Sequence, residues 1–441
     1  MNDDSRYSSP IIHHSSFIIH QYLNNSMKSN VMINSVTHFM ALESEYGAHN
    51  YHPLPVVLER GKGVYVWDVQ GKKYYDYLSA YSAVNQGHCH PAIINALVEQ
   101  AQTLTLTSRA FYNDKLGAYE KFITKLFGYD KVLPMNTGVE AVETAFKLAR
   151  KWGYEKKKIK DTAKIIVVEG NFHGRTMTAI SASNDPSSYN NFGPFVPGII
   201  RVPYNDVQAL ETALQDETVC GFLFEPIQGE AGVVVPDAHY LPQAFQLCKN
   251  KNVLFIADEV QTGIARTGKM LCCDNFGVRP DILILGKALS GGVYPVSCVL
   301  ADDAIMLSIK PGQHGSTYGG NPLACAVATA AMQVVIDENL AVNAMRMGQI
   351  FRQRMNEVKN NFPDLITTVR GMGLLNAVVI NDTEQSDTAW QICLKLMENG
   401  ILAKPTHGNI IRFAPPLVIT ETQMHESCGQ IEKTFARFDK R

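Results

Sequence analysis

Lysine is seldom buried without a task. Lys287 follows the apolar run 282–285 and Gly286, at what reads as the carboxyl end of a strand. Partial desolvation there lowers an amine's pKa and leaves a nucleophile able to form a Schiff base. Three other strand-like segments end in comparable chemistry. Residues 253–257 lead into Asp258-Glu259-Val260-Gln261, and residues 220–224 into Glu225-Pro226 with Gln228-Gly229-Glu230 beyond. Residues 163–168 end near Phe172-His173-Gly174-Arg175. In an open parallel sheet, ligands sit outside the carboxyl ends of the strands. A lysine, carboxylates, a glutamine, an aromatic ring and an arginine therefore converge on one rim. A carboxylate such as Asp258 can keep a pyridine nitrogen protonated and make the ring an electron sink. The polar loop Asn136-Thr137-Gly138-Val139 opens a helix, whose free amides and dipole suit a phosphate. The segment 315–320 is a second loop rich in hydroxyls and glycine. Phosphate site, aromatic ring, carboxylate and lysine together specify pyridoxal 5'-phosphate (PLP).

Such a rim needs alternating strands and helices behind it. Short apolar strands over 163–168, 220–224, 253–257 and 282–285 are separated by helical segments such as 139–152 and 242–249. That pattern predicts an α/β fold with a mostly parallel sheet covered by helices on both faces. Ahead of it, residues 54–78 alternate β-formers between glycines, as in a small antiparallel meander. Pro91 suits the first turn of a helix. After Pro322 come an Ala-rich helix over 323–335 and a basic amphipathic helix over 341–359. The chain then reads as a smaller α+β domain, with strands at 373–379 and 410–413, a helix at 389–399 and a final helix to Phe438. The expected organisation is a flexible extension over 1–40, an N-terminal segment with the meander over 41–85, a large cofactor-binding domain over 86–325 and a small domain over 326–441.

The 441 residues carry a net charge of −2, with 46% hydrophobic and 19% charged residues. This suits a globular enzyme and is too apolar for a disordered chain. No basic excess points to nucleic acid. No apolar run approaches the roughly 18 residues of a membrane helix. Nine cysteines are scattered without a C-x-x-C, which argues for a reducing compartment and against a zinc or thioredoxin site. Two motifs read as decoys. Gly263 to Lys269 has P-loop spacing, but Met270 stands where Ser or Thr would bind magnesium. His88-Cys89-His90 reads as a turn into Pro91, and no metal is expected. His13, His14 and His20 read as part of a polar extension. That extension lacks a secretory apolar core, and Arg6 and Lys28 make a weak transit peptide beside Asp3 and Asp4. A cytoplasmic protein is expected, with the mitochondrial matrix as the alternative.

From about Glu45 onward the sequence resembles the class III, fold-type I PLP-dependent aminotransferases. Asp258-Glu259-Val260-Gln261-Thr262-Gly263 and Gly286-Lys287-Ala288-Leu289-Ser290-Gly291-Gly292 mark the whole class, and the segment from Glu225 to Gly232 is a further marker of the resemblance. Ser82-Ala83-Val84-Asn85-Gln86-Gly87-His88 is a further marker of the resemblance, and Asn50-Tyr51-His52-Pro53 and Pro405-Thr406-His407-Gly408 resemble more narrowly the branch that acts on ornithine. The resemblance implies that Lys287 holds the cofactor and shuttles the proton, and that Asp258 pairs with the pyridine nitrogen. Phe172 would stack on the ring, and Gln261 would approach its phenolic oxygen. The amides of Gly138 and Val139 would hold the phosphate, with Thr317 reaching in from a second subunit. Tyr51 and Arg175 would hold the α-amino and α-carboxylate end of ornithine, and Tyr81 would line the channel. Glu230 would mask Arg412 while ornithine reacts, then free it for the α-carboxylate of 2-oxoglutarate or glutamate. The implied reaction moves the δ-amino group of L-ornithine to 2-oxoglutarate, giving glutamate 5-semialdehyde, which cyclises to pyrroline-5-carboxylate, and glutamate. The competing reading is action on acetylornithine or 4-aminobutyrate. A homodimer or higher homo-oligomer is implied. His173 departs from the pattern, which has an aromatic such as Trp there.

Overall fold

A computed structural model describes residues 36–438. The described residues divide into two compact units, residues 36–60 with 66–73, and residues 61–65 with 74–438. In the smaller unit a helix, Val36–Tyr46, has no buried residue. The expected end of the extension at residue 40 falls inside it. His13, His14 and His20, and Arg6 and Lys28, lie outside the described residues. Strands Leu58–Lys62, Tyr65–Asp68 and Lys73–Asp76 occur where the glycine-punctuated pattern predicts them.

The larger unit is built on seven strands: β1 (Lys131–Met135), β2 (Lys164–Val168), β3 (Ile199–Val202), β4 (Val219–Phe224), β5 (Leu254–Asp258), β6 (Ile282–Leu285) and β7 (Ser297–Ala301). Their order is β1-β7-β6-β5-β4-β2-β3. The strands from β6 to β3 are mutually parallel, and β7 runs antiparallel to both β6 and β1. Every residue of β4, β5, β6 and β7 is buried, which explains their near-continuous apolar sequences. Alternate side chains serve opposite faces. Ile165, Leu223, Ile256 and Ile284 pack against Val142, Phe146, Ala149 and Trp152 of the helix Gly138–Trp152. Ile166, Phe222, Phe224 and Phe255 pack against Tyr240, Leu241, Ala244 and Cys248 of the helix Tyr240–Asn250.

The helix Pro322–Asp337 is capped by Asn321, whose side chain accepts from Ala324 N. The expected boundary between residues 325 and 326 falls inside this helix. Beyond it, β8 (Ile366–Met372), β9 (Leu375–Ile380), β10 (Lys404–His407) and β11 (Ile410–Phe413) form an antiparallel sheet in the order β8-β9-β11-β10. One cluster joins Ile227 and Val233, which follow β4, to Leu375, Ala377, Ile410 and Ala414. It brings β11 to the rim of the large sheet.

The P-loop-like segment has a structural task. Arg266 is fully buried and donates to Asn85 Oδ1, Leu374 O and Pro415 O. Burial pushes its guanidinium down to about 9. It ties three distant segments together. In the other decoy, His88 pairs with Asp76 and His90 with Glu338.

Candidate active site

Strand ends place the chemistry. β5 terminates at Asp258, and β6 leads through Gly286 into Lys287, which begins a short 3-10 turn with φ at +45°. Lys287 and Asp258 line one cavity of about 180 Å3, together with Gly138, Val139, Phe172, His173, Glu225, Val260 and Gln261. A second cavity of about 350 Å3 shares Gly138 and Lys287 and is otherwise bounded by residues such as Ser290 and Tyr294. Burial holds the Lys287 ammonium below the usual lysine range, against the opposing charges of Glu230 and Asp258. A fraction of free amine is thereby available at lower pH.

Asp258 is held on both oxygens. Oδ2 lies 2.7 Å from His173 Nδ1, and Oδ1 accepts from Val260 N at 3.1 Å. Burial alone disfavours the His173 imidazolium. The bond and charge of Asp258 outweigh it and raise the pKa above the usual value. His173 Nε2 is buried with no hydrogen-bond partner among the described residues. Glu225, beside them, accepts from Phe172 N at 2.8 Å, and burial pushes its carboxyl up to about 7. His173 thus takes the place of the expected aromatic and becomes the main partner of the central carboxylate. The sequence carried no sign of this contact across 85 residues.

The helix Gly138–Trp152 opens at the cavity. Thr137 and Glu140 form a reciprocal capping box around its first turn. The amides of Gly138 and Val139 have no acceptor within the helix. A Cβ at residue 138 would come within 2.9 Å of Val260 Cγ1, so glycine lets the turn lie close against the Val260 side chain.

Arg412, on β11, is buried. Its Nη1 donates to Glu230 Oε1 at 2.6 Å, and its Cζ lies 4.7 Å from the centroid of the Tyr81 ring. Glu230 Oε1 also accepts from Gln261 Nε2 at 3.2 Å, and its backbone carbonyl accepts from the Thr406 hydroxyl. Burial would raise the Glu230 pKa, but the Arg412 charge and hydrogen bond pull it below the usual range. Gln261 therefore links the Lys287 cavity to the Glu230–Arg412 pair. The Arg175 guanidinium lies 5.3 Å from the centroid of Phe172 and donates to Ser188 Oγ at 2.8 Å.

Two expected site residues are not gathered here. Thr317 is exposed and lines neither cavity. Tyr51 belongs to the smaller unit, with an exposed ring.

PLP fits the residues present. One cavity holds an amine with a depressed pKa, a fixed carboxylate, an aromatic ring and the open amides of a helix start. Asp258 would meet the pyridine nitrogen, Lys287 the carbonyl carbon, and Gly138 and Val139 the phosphate.

Residues 46–435 match the family model described as "Aminotransferase class-III". The chain belongs to the class-III aminotransferases and is a PLP-dependent enzyme. It is 65% identical over 395 residues to "Ornithine aminotransferase, mitochondrial" of Drosophila melanogaster, covering 89% of this chain and 90% of that one. It is 63% identical over 397 residues to the rat protein of the same name, covering 90% of each. The crystal structure of the ornithine aminotransferase from Toxoplasma gondii superposes with a TM-score of 0.90 at 50% identity, over 93% of this chain and 97% of that one. A structure named acetylornithine aminotransferase, from Elizabethkingia anophelis, gives 0.84 at 62% identity, over 91% and 99%.

Proposed function

We propose that the enzyme moves the δ-amino group of L-ornithine to 2-oxoglutarate, yielding glutamate 5-semialdehyde and glutamate. The observation that carries this reading is the Glu230–Arg412 pair beside the Lys287 cavity. One site must take a δ-amine in one half-reaction and an α-amine in the other. A bare Arg412 would bind the α-carboxylate of ornithine and bring the wrong amine forward. Glu230 conceals the guanidinium without leaving a buried charge unpaired. Its departure exposes Arg412 to the α-carboxylate of 2-oxoglutarate or glutamate.

Bound PLP supplies the electron sink for the carbon bearing the amine. Lys287 Nζ, kept partly unprotonated by burial, takes and returns the proton at that carbon. Asp258, oriented by His173 and Val260 N, balances positive charge at the ring nitrogen. Phe172 would lie against the ring, and Gln261 would serve its phenolic oxygen. Arg175 would take the α-carboxylate end of ornithine.

A second copy of the chain completes the site with Thr317. The exposed rings of Phe111, Tyr112 and Tyr318 support a homodimer, since such rings are costly to leave in water. The product semialdehyde cyclises to pyrroline-5-carboxylate, which links arginine breakdown to proline. For the compartment, the word "mitochondrial" in the names of the fly and rat relatives favours the matrix over the cytoplasm.

The name of the Elizabethkingia structure supports a second reading, action on acetylornithine. The test is a half-reaction with the PLP-loaded protein. L-Ornithine, N-acetylornithine and 4-aminobutyrate are added separately, and loss of the cofactor's visible band is followed. Bleaching by ornithine with trapping of the cyclised pyrroline is expected. Faster bleaching by N-acetylornithine would overturn the ornithine reading.

A further inference from the structure

Three cations stand in one row of the small antiparallel sheet. Arg370 of β8 faces Ala377 of β9, Ala377 faces Arg412 of β11, and Arg412 faces Lys404 of β10. Residues directly opposite one another in such a sheet project to the same face. Arg370 and Arg412 are therefore two strand spacings apart, roughly 10 Å, with only the methyl group of Ala377 between them. Burial lowers the pKa of Lys404, and the Arg412 charge lowers it further. Glu230 is paired with the middle cation of the row.

The hairpin that carries Glu230 meets this row with its backbone fixed. Gln228 and Val234 close it with paired backbone bonds of 3.1 and 2.9 Å. Gly229 O accepts from Gly232 N and Val233 N, both at 3.2 Å, and from Arg412 Nη1 at 3.4 Å. Glu230 O accepts from the Thr406 hydroxyl. Arg370 donates Nε and Nη2 to Gly232 O, at 3.0 and 2.7 Å, and its Nη1 makes no hydrogen bond among the described residues. Arg370 is half-buried, and desolvation lowers its pKa with no carboxylate among the described residues to offset it. A cation drawn partly out of water with a lone carbonyl for partner is costly to keep. Clamping one carbonyl needs no charge, since a neutral amide N–H would serve.

We infer that Arg370 is the second seat of the Glu230 carboxylate: it receives Glu230 when the carboxylate leaves Arg412, and so sets how readily Arg412 is bared. This rests on the reading of Glu230 and Arg412 as a switch. With the hairpin backbone held at residues 228 to 234, the Glu230 side chain is the part left to move. It exchanges one guanidinium for another on the same sheet face, so neither state leaves the carboxylate unpaired. The α-carboxylate of the substrate takes its place on Arg412. Arg370 is a positioning residue, because it acts through Glu230.

The experiment compares bleaching of the PLP-loaded protein by L-ornithine and by L-glutamate, for wild type, R370Q, R370K, E230A and E230A/R370Q. R370Q keeps an N–H for Gly232 O but loses the charge, so Glu230 stays on Arg412. The glutamate rate should fall, and the ornithine-to-glutamate rate ratio should rise about tenfold, the size of one charge-assisted hydrogen bond. R370K keeps a cation and should hold the ratio within about threefold of wild type. Without Glu230 the R370Q change should leave the glutamate rate unaltered, because the two residues act as one unit. A merely structural clamp predicts the opposite sign, since a loosened hairpin bares Arg412 and the ratio falls. A falling or unchanged ratio in R370Q overturns the inference, and so does an equal loss of glutamate rate in the E230A background. If R370Q does not fold, R370M carries the same test of sign, since its stem fills similar space without charge. An E230A ratio equal to wild type removes the switch itself, and the inference with it. A wild-type protein bleached by glutamate but not by ornithine overturns the ornithine reading alone. Arg370 is then judged on the glutamate rate with and without Glu230.

Discussion

Replacing His173 with phenylalanine should weaken the grip on PLP more than it weakens the fold. The variant loses the 2.7 Å contact to Asp258 Oδ2 and leaves only the 3.1 Å bond from Val260 N. A hydrogen bond to a charged group contributes about 1.5–3 kcal/mol. The substitution also removes His173 Nε2, a buried atom with no partner among the described residues. Relief of such a group returns about 1–3 kcal/mol, so the net change in apoprotein stability should lie within about 1 kcal/mol of zero. The carboxylate, however, becomes free to rotate away from the pyridine nitrogen. Loss of about 1.4 kcal/mol of orientation would weaken PLP binding about tenfold. Titrating PLP into apoprotein and following the visible band measures this, and melting of the apoprotein supplies the control. The pH dependence gives a second readout. His173 has a raised folded-state pKa, so its contribution is complete below its unfolded value near 6.5 and fades as pH rises through the folded value. The stability difference between wild type and H173F should shrink over that interval. Wild-type PLP affinity in H173F, with a melting loss of several kcal/mol, would refute the reasoning and make His173 a packing residue only.

Glu225 has a folded pKa of about 7, above its ordinary 4.5, so the native state binds the extra proton and stability should fall between those pH values. E225Q, which keeps an acceptor for Phe172 N, should flatten that slope, by on the order of 3 kcal/mol at most across the interval, as read by denaturant unfolding at stepped pH. G229A would put a Cβ 1.7 Å from Gln261 Oε1, the far end of a flexible side chain. Folding should survive, while displacement of Gln261 breaks its bond to Glu230 and lowers the ornithine-to-glutamate rate ratio, and an unchanged ratio would exclude Gln261 from the switch. R266M should destabilise by about 3–5 kcal/mol in urea, because it leaves Asn85 Oδ1 and two buried carbonyls without their donor.

Chemistry encoded in short windows was legible before any fold was known. The runs ending at Asp258 and Lys287 announce buried parallel strands, and strand ends are where such sheets place ligands. The helix over 139–152 was readable from its polar opening loop, and the structure starts it at Gly138 under a Thr137 cap. Period and capping are local properties, so they survive without an alignment. The outer strand β1 and the antiparallel β7 were not read. Pro134 interrupts the first, and no local pattern states which neighbour a strand will pair with or in which direction.

Local pattern carried the α/β class and the central lysine and carboxylate, and the motifs led to the expectation of a Glu230–Arg412 pair, which the structure contains. Tertiary structure alone decided what surrounds them. It set His173 on Asp258, drew the P-loop-like segment into a buried arginine clamp, and bent residues 79–82 into a left-handed turn. These features join residues far apart in the chain or hold backbone against its intrinsic preference. Both depend on packing that no short stretch of residues contains.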